Sequence, residues 1–332
     1  MEVCIIFSWR PSEEEDFDIL VEVLKFDPAE FVSGTPADPI SPPVYKYIED
    51  DNDQLYPDIV HDPYSGDVYI VYCHEVVEGN LYRIYYRKAT RSYSRGNLND
   101  FNQAVICQRD DHNGFHPRID IGQVNLPGYS CQNMVGIAYT GKPDPGLPTD
   151  IYVNYWPESQ GVDPNQSYNS LIEDKDNDKE RDQSAGFPNL DIGPPGTDIA
   201  VLAFMQAHNL GWDHPWVRVV DSRSYNFTHL EQGFDAGTEL AYPSIAVHDT
   251  NGYPFRASIS FISWDGVAHH YWYPVARWLQ VNPGTPPFVT LGNPYQLSYG
   301  ENGVHGYWSY GQADYHDFGV NTSIVVYGTS NY

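Results

Sequence analysis

The chain has 332 residues, 45 of them acidic and 18 basic, for a formal charge of −27. Such a field repels phosphate backbones and anionic lipid surfaces, which argues against nucleic acid and membrane insertion as partners. The 27 Gly and 26 Pro are spread along the whole length, suiting many short strands joined by turns and excluding a long helix.

The first elements are two apolar runs, Val3 to Trp9 and Phe17 to Phe26. A Pro-rich and acidic insert follows over residues 28–55, where Pro28, Pro36, Pro39, Pro42 and Pro43 supply no ladder donors and read as an ordered loop. Then a block opens on Tyr56-Pro57-Asp58-Ile59. It returns as His116-Pro117-Arg118-Ile119-Asp120, as Phe187-Pro188-Asn189-Leu190-Asp191 and as Tyr242-Pro243-Ser244-Ile245, the prolines 60, 71 and 55 residues apart. After each opening come a turn, an alternating apolar run, a polar loop and a second aromatic-rich run, the grammar of a four-stranded β-propeller blade.

In the first block the strands are Pro57 to His61, Val68 to Cys73, Tyr82 to Lys88 and Ala104 to Arg109, with Asp62 to Asp67 as the first turn. The second block offers Met134 to Tyr139 and Ile151 to Trp156, and the third Ile199 to Met205 and Trp216 to Val220. The fourth has Ser258 to Trp264, His270 to Ala276 and Pro287 to Leu291. At the C-terminal end Gly306 to Tyr310 and Ser323 to Tyr327 pair naturally with residues 1–27 as one closing blade, which would hide the edges of an open sheet. The expectation is an all-β chain and a single β-propeller domain over residues 1–332, with blades at 56–115, 116–186, 187–241 and 242–303 and a fifth closed from both termini. A sixth would have to come from the insert.

The pattern Pro-x-Ile-x-x-Asp, a Gly turn, Val-Tyr-Ile-Val-Tyr and Arg-Ile-Tyr-Tyr-Arg resembles the repeats of the sialidase-like (BNR-type) propeller superfamily, over roughly Tyr56 to Trp278. The family's Asp-box, Ser-x-Asp-x-Gly-x-x-Trp, is not found intact. Its members that are sialidases clamp a carboxylate with three inner-strand arginines, and here only Arg118 stands at such a position. The resemblance therefore implies the architecture and not sialidase activity.

Four cysteines, Cys4, Cys73, Cys107 and Cys131, lack the CxxC spacing of a zinc ribbon or redox dithiol, and thiols and disulfides both stay open. The start Met1 to Arg10 has no basic n-region and too short an apolar run for a signal segment. The expected setting is nonetheless extracellular or the cell surface, as for a secreted propeller.

Loops between second and third strands, and those leading into the next blade, share one face of a propeller. That face would carry His74 and Glu75, then His208, Trp212, Asp213 and His214, then Trp264, Asp265 and His269, the candidate ligand-binding set. Trp212-Asp213-His214 and Ser263-Trp264-Asp265 place a ring beside a carboxylate, as a sugar site does when an aromatic stacks on the ring and an acid bonds its hydroxyls. Seven of the twelve histidines, His116 among them, fall in these loops, although histidine is common in exposed loops without a ligand and none of these sets shows a His-x-x-x-His spacing on a helix. Asp174, Asp176 and Asp178 have the one-three-five oxygen spacing that can wrap a calcium ion, without the Gly and terminal Glu of an EF-hand.

No motif selects a catalytic pair. The reading is a non-enzymatic extracellular or surface propeller that binds a glycan or a protein, one use being as a building block that self-assembles, with calcium as the cofactor to test. The alternative is a carbohydrate-active enzyme, a glycoside hydrolase or polysaccharide lyase, drawing on Glu75, Asp213, Glu239, Asp265 and loop histidines.

Overall fold

The computed structural model describes residues 2–10, 12, 16–25, 38–48, 51–62, 65–77, 81–92, 97–108, 113–124, 132–142, 149–161, 170–171, 185–193, 199–207, 213–221, 228–231, 239–247, 255–265, 271–282 and 289–296. Two compact units divide the chain, Met1–Ile119 and Asp120–Tyr332.

In the first unit, β1 (Glu2–Trp9), β2 (Asp18–Lys25) and β3 (Val44–Ile48) form an antiparallel sheet in chain order. β3 lies inside the stretch expected to be a proline-rich loop. Its Val-Tyr-Lys-Tyr-Ile alternation begins just past the last proline, Pro43, so nothing prevents pairing with β2 from Val44↔Val23 to Ile48↔Ile19.

A second sheet joins β4 (Gln54–His61), β5 (Val68–Val77), β6 (Leu81–Ala89) and the short β9 (Val105–Ile106). Between β6 and β9 sits a small hairpin, β7 (Arg91–Ser92) with β8 (Asn97–Leu98), which the sequence pattern did not announce. Alternate residues explain the packing. Ile19, Val21 and Val23 of β2 and Ile48 of β3 meet Val68, Ile70 and Tyr72 of β5 in one buried cluster. Each of these large side chains contributes about 1.5–3 kcal/mol on leaving water. The other face of the first sheet leaves Ile5, Trp9, Tyr45 and Tyr47 exposed.

The β4–β5 turn is closed by side chains as well as backbone. The Gly66 N–H donates to the Asp62 carbonyl at 2.9 Å, the Ser65 hydroxyl to the Asp62 carboxylate at 2.6 Å, and the Arg91 N–H to Asp67 Oδ1 at 3.0 Å. Gly66 has φ +75°, a conformation its missing side chain allows.

β10 (Asn113–Val124) runs through the division between the units and opens a sheet with β11 (Gln132–Lys142), β12 (Asp150–Pro157) and β13 (Ser170–Leu171). The next sheet is β14 (Ala185–Ile192), β15 (Ile199–Ala207), β16 (Asp213–Asp221) and β17 (Thr228–Glu231). Another follows as β18 (Glu239–Val247), β19 (Phe255–Asp265), β20 (Tyr271–Val281) and β21 (Val289–Gln296). The runs 134–141 and 151–157 are buried throughout, as strands covered on both faces must be, and they are correspondingly near-continuous in apolar residues. Met134, Ala138, Ile151, Val153 and Tyr155 pack on Leu190, Ile192, Ala200, Leu202 and Phe204. The contact is close enough that a Cβ on Gly136 would stand 2.7 Å from Leu190 Cδ2.

The chain is thus all-β, its four-stranded sheets being antiparallel meanders in chain order, the unit of which β-propellers are made. Among the described residues the sole helical turn is a 3₁₀ turn at Glu158–Gln160. The closing blade expected from Gly306 to Tyr310 and Ser323 to Tyr327 lies outside the described residues.

Candidate functional site

Every sheet that opens on an aromatic–proline step and whose first pairing is defined shows a slip at that step. The register breaks between Leu55 and Asp58, between Gly186 and Asn189, and between Ala241 and Ser244. The reason is chemical: proline has no N–H for the ladder, so the strand bulges around it and bends. In the first unit the residue before proline pays in backbone geometry. Tyr56 has φ +52° and His116 φ +48°, left-handed values that cost a bulky residue about 1–3 kcal/mol.

The two rings meet, centroids 4.4 Å apart and tilted by 59°. Tyr56 is 48% exposed, so one side of its ring rests on His116 while much of the rest faces solvent. Burial of the hydroxyl region, followed by the nearby Cys73, lifts the Tyr56 phenol above its ordinary range.

Directly after the proline comes a polar side chain that ties one opening to the next. Asp58 Oδ2 accepts the Ile119 N–H at 2.9 Å, and Asn189 Oδ1 accepts the Ile245 N–H at 2.8 Å. Arg118, the residue at that place in β10, has no acceptor and instead points its guanidinium at Asp58 Oδ1, 4.0 Å away. Burial raises the Asp58 carboxyl, while Arg118 and the Ile119 N–H pull it partly back.

In the second unit the stitch recurs two residues further along. Asp120 Oδ2 accepts the Ile192 N–H at 2.6 Å, and Asp191 Oδ2 accepts the Val247 N–H. The Asp120 and Asp191 carboxyls also hydrogen-bond each other. Two such groups share a proton, and Asp120 is held well above the usual carboxylate range, by burial first and Asp191 second.

Of the residues singled out from sequence, His74 and Glu75 stand on β5 rather than in a loop, because that strand continues its pairing with β6 as far as Val77↔Leu81. The His74 ring sits edge-on to Tyr85 at 4.9 Å. Glu75 is 7% exposed, and its Oε1 accepts the Tyr82 hydroxyl at 3.3 Å. Burial and then Glu75 push the Tyr82 phenol up to about 12. Asp213 and His214 begin β16, opposite Ala207 and Gln206. Trp264 and Asp265 end β19, opposite Trp272 and Tyr271, with Glu239 across from Trp264 on β18. His208, Trp212 and His269 lie outside the described residues, as do Asp174, Asp176 and Asp178. Among the described residues no group of three or more His, Cys, Asp or Glu is arranged to hold a metal ion.

Sequence reasoning did not select Tyr56, Asp58, Asp120 or Asp191, although all four lie in the repeated opening itself. The signal was present in the aromatic–proline step; its meaning, a strained ring aimed outward and a carboxylate stitching strands, needed backbone angles.

No family model matches the chain, and no curated protein matches it. Solved structures with a similar backbone course include the Cellvibrio cellulosa alpha-L-arabinanase complexed with arabinohexaose, at 11% identity over 88% of this chain and 94% of that one, TM-score 0.37. The GH93 alpha-L-arabinofuranosidase of Fusarium graminearum with arabinobiose shows 10% identity over 89% and 90%, TM-score 0.46. The alpha-L-arabinofuranosidase PaAbf62A from Podospora anserina with cellotriose shows 10% identity over 88% and 87%, TM-score 0.38.

Proposed function

We propose that the protein recognises carbohydrate at the aromatic–proline opening of its first unit. The observation that carries this is the Tyr56 ring, 48% exposed and held in a strained left-handed backbone against His116, with Asp58 and Arg118 one residue past the prolines. A sugar presents an apolar C–H face and a hydroxyl edge, and a ring flanked by a carboxylate and a guanidinium answers both. The test is calorimetric titration of the full chain with arabinohexaose, arabinobiose, cellotriose and mannotriose. Binding of at least one supports recognition, and silence with all four opposes it.

A second reading, a carbohydrate-active enzyme, would draw its acid and base from Glu75, Asp213, Glu239 and Asp265; the hydrogen-bonded Asp120–Asp191 pair is too close together to flank a glycosidic bond, whose two carboxyls stand about 5–9.5 Å apart. Release of reducing ends from the same sugars, abolished in Glu75→Gln or Asp265→Asn, would establish it; binding without turnover favours the non-enzymatic reading. A calcium ion at Asp174, Asp176 and Asp178 belongs to the proposal too, and a chelator that leaves Tm unchanged would remove it.

A further inference from the structure

We infer that Tyr56, His116, Asp58 and Arg118 make a subsite for one neutral sugar residue, an inference that rests on the glycan-recognition reading and gives it a substrate class. The first support is the residue type placed at the strained position before each proline. Gly, Asn or Asp sits in a left-handed conformation at less cost, yet both openings of the first unit hold an aromatic residue there, at φ +52° and +48°. Those rings meet at 4.4 Å, and the outer one is 48% exposed, so one side of it packs on His116 while much of its area is offered to solvent.

The second support is the polar pair two residues along each strand. Asp58 accepts the Ile119 N–H on Oδ2 at 2.9 Å and the Ile59 N–H as well, and its Oδ1 faces Arg118 across 4.0 Å, longer than a hydrogen bond and open to a further donor, since each carboxylate oxygen accepts more than one. A carboxylate only accepts and a guanidinium only donates. A hydroxyl does both, and therefore joins them where a second ion could not. Charge and donor pattern select the ligand further: a uronic acid would meet the Asp58 carboxylate inside a field of net charge −27, and the ammonium of an amino sugar, which only donates, could not accept from Arg118. What remains is a neutral sugar with its apolar face on Tyr56 and one hydroxyl between Asp58 and Arg118.

The test is calorimetric titration of the full chain with arabinohexaose, cellotriose, xylotriose and mannotriose as neutral probes and trigalacturonate as the anionic one. The wild type, Tyr56→Phe, Tyr56→Ala, Tyr56→Gly and Arg118→Met are compared, each with a thermal melt. Tyr56→Phe should bind within about twofold of wild type, and Tyr56→Ala and Tyr56→Gly should lose about three- to tenfold, the worth of an aromatic stack. Tyr56→Gly guards against misfolding, since glycine accepts the left-handed backbone. Arg118→Met should weaken neutral sugars, and trigalacturonate should bind less than any of them. A neutral probe bound equally by wild type, a folded Tyr56→Gly and Arg118→Met overturns the subsite and leaves glycan recognition standing. Stronger binding of trigalacturonate overturns the neutral assignment, and no binding of any probe by wild type overturns both.

Discussion

The Asp120 carboxylate accepts the backbone N–H of Ile192 at 2.6 Å, a bond between residues 72 apart in sequence. Asp191, next to Ile192, repeats the gesture on Val247, and the two carboxyls share a hydrogen bond. The first strands of successive sheets in this unit are therefore joined by side chains, and one of the joining groups keeps its proton when an exposed carboxyl would lose it.

That proton makes stability depend on pH. Because the folded Asp120 carboxyl is raised, the native chain binds a proton over a window where the unfolded chain has released it. The stabilisation is present at the acid end, near the ordinary carboxylate range, and is lost as pH climbs through the raised folded value. Asp120→Asn keeps an oxygen for the Ile192 N–H and a donor for Asp191 without a charge. Denaturant unfolding should show Asn ahead of wild type by on the order of 1 kcal/mol at pH 8, with the difference shrinking toward pH 4. Parallel curves for the two proteins from pH 4 to 8 would contradict the shared proton.

Tyr56 supplies a backbone test. At φ +52° alanine suffers what tyrosine suffers, whereas glycine does not. Tyr56→Gly should be more stable than Tyr56→Ala by about 1 kcal/mol, read as the difference in denaturation midpoint at equal m-value. The reverse order would mean that Tyr56 is not left-handed in solution.

Asp58 separates acceptor from charge. Asp58→Ala strands the Ile119 N–H and the Arg118 guanidinium together and should cost about 1–3 kcal/mol. Asp58→Asn restores the acceptor and should recover more than half of that loss, measured by urea unfolding. Equal losses for both variants would show that the charge, and not the stitch, is what the position supplies.

Two thiols should be inert. Cys73 donates to the Gly114 carbonyl at 3.1 Å and Cys107 to that of Ile84 at 3.4 Å, both buried, and burial raises both thiols far above their ordinary range. Iodoacetamide followed by peptide mass analysis should leave both unmodified in the native protein and label both in urea. Fast native labelling of Cys73 would contradict its placement.

Much of this fold could be read in the letters, and the reasons show where reading stops. The aromatic–proline openings mark the first strands because proline interrupts the ladder at a fixed place, and Val68 to Cys73 is a short, continuous apolar run of β-branched and aromatic residues behind a Gly turn, the mark of a strand buried on both faces. β3 was hidden because Pro36 to Pro43 dominate the composition of its surroundings, though they end one residue before Val44. Glu75 read as a loop acid because His74 and Glu75 break an apolar run; in the fold the strand simply carries on, and Tyr82 compensates the carboxylate. The site was less legible still. Left-handed tyrosine and histidine leave no mark in a sequence, and a carboxyl pair separated by 71 positions exists only through the register of two sheets.

The central claim, that a neutral glycan sits on the Tyr56–His116 opening, is tested most directly by the imidazole proton resonances of His116. On titration with a neutral oligosaccharide that binds, the His116 ring signals should shift in proportion to occupancy, and those of His74, edge-on to Tyr85 at 4.9 Å, should hold still. Saturating binding that leaves His116 unmoved would contradict the account.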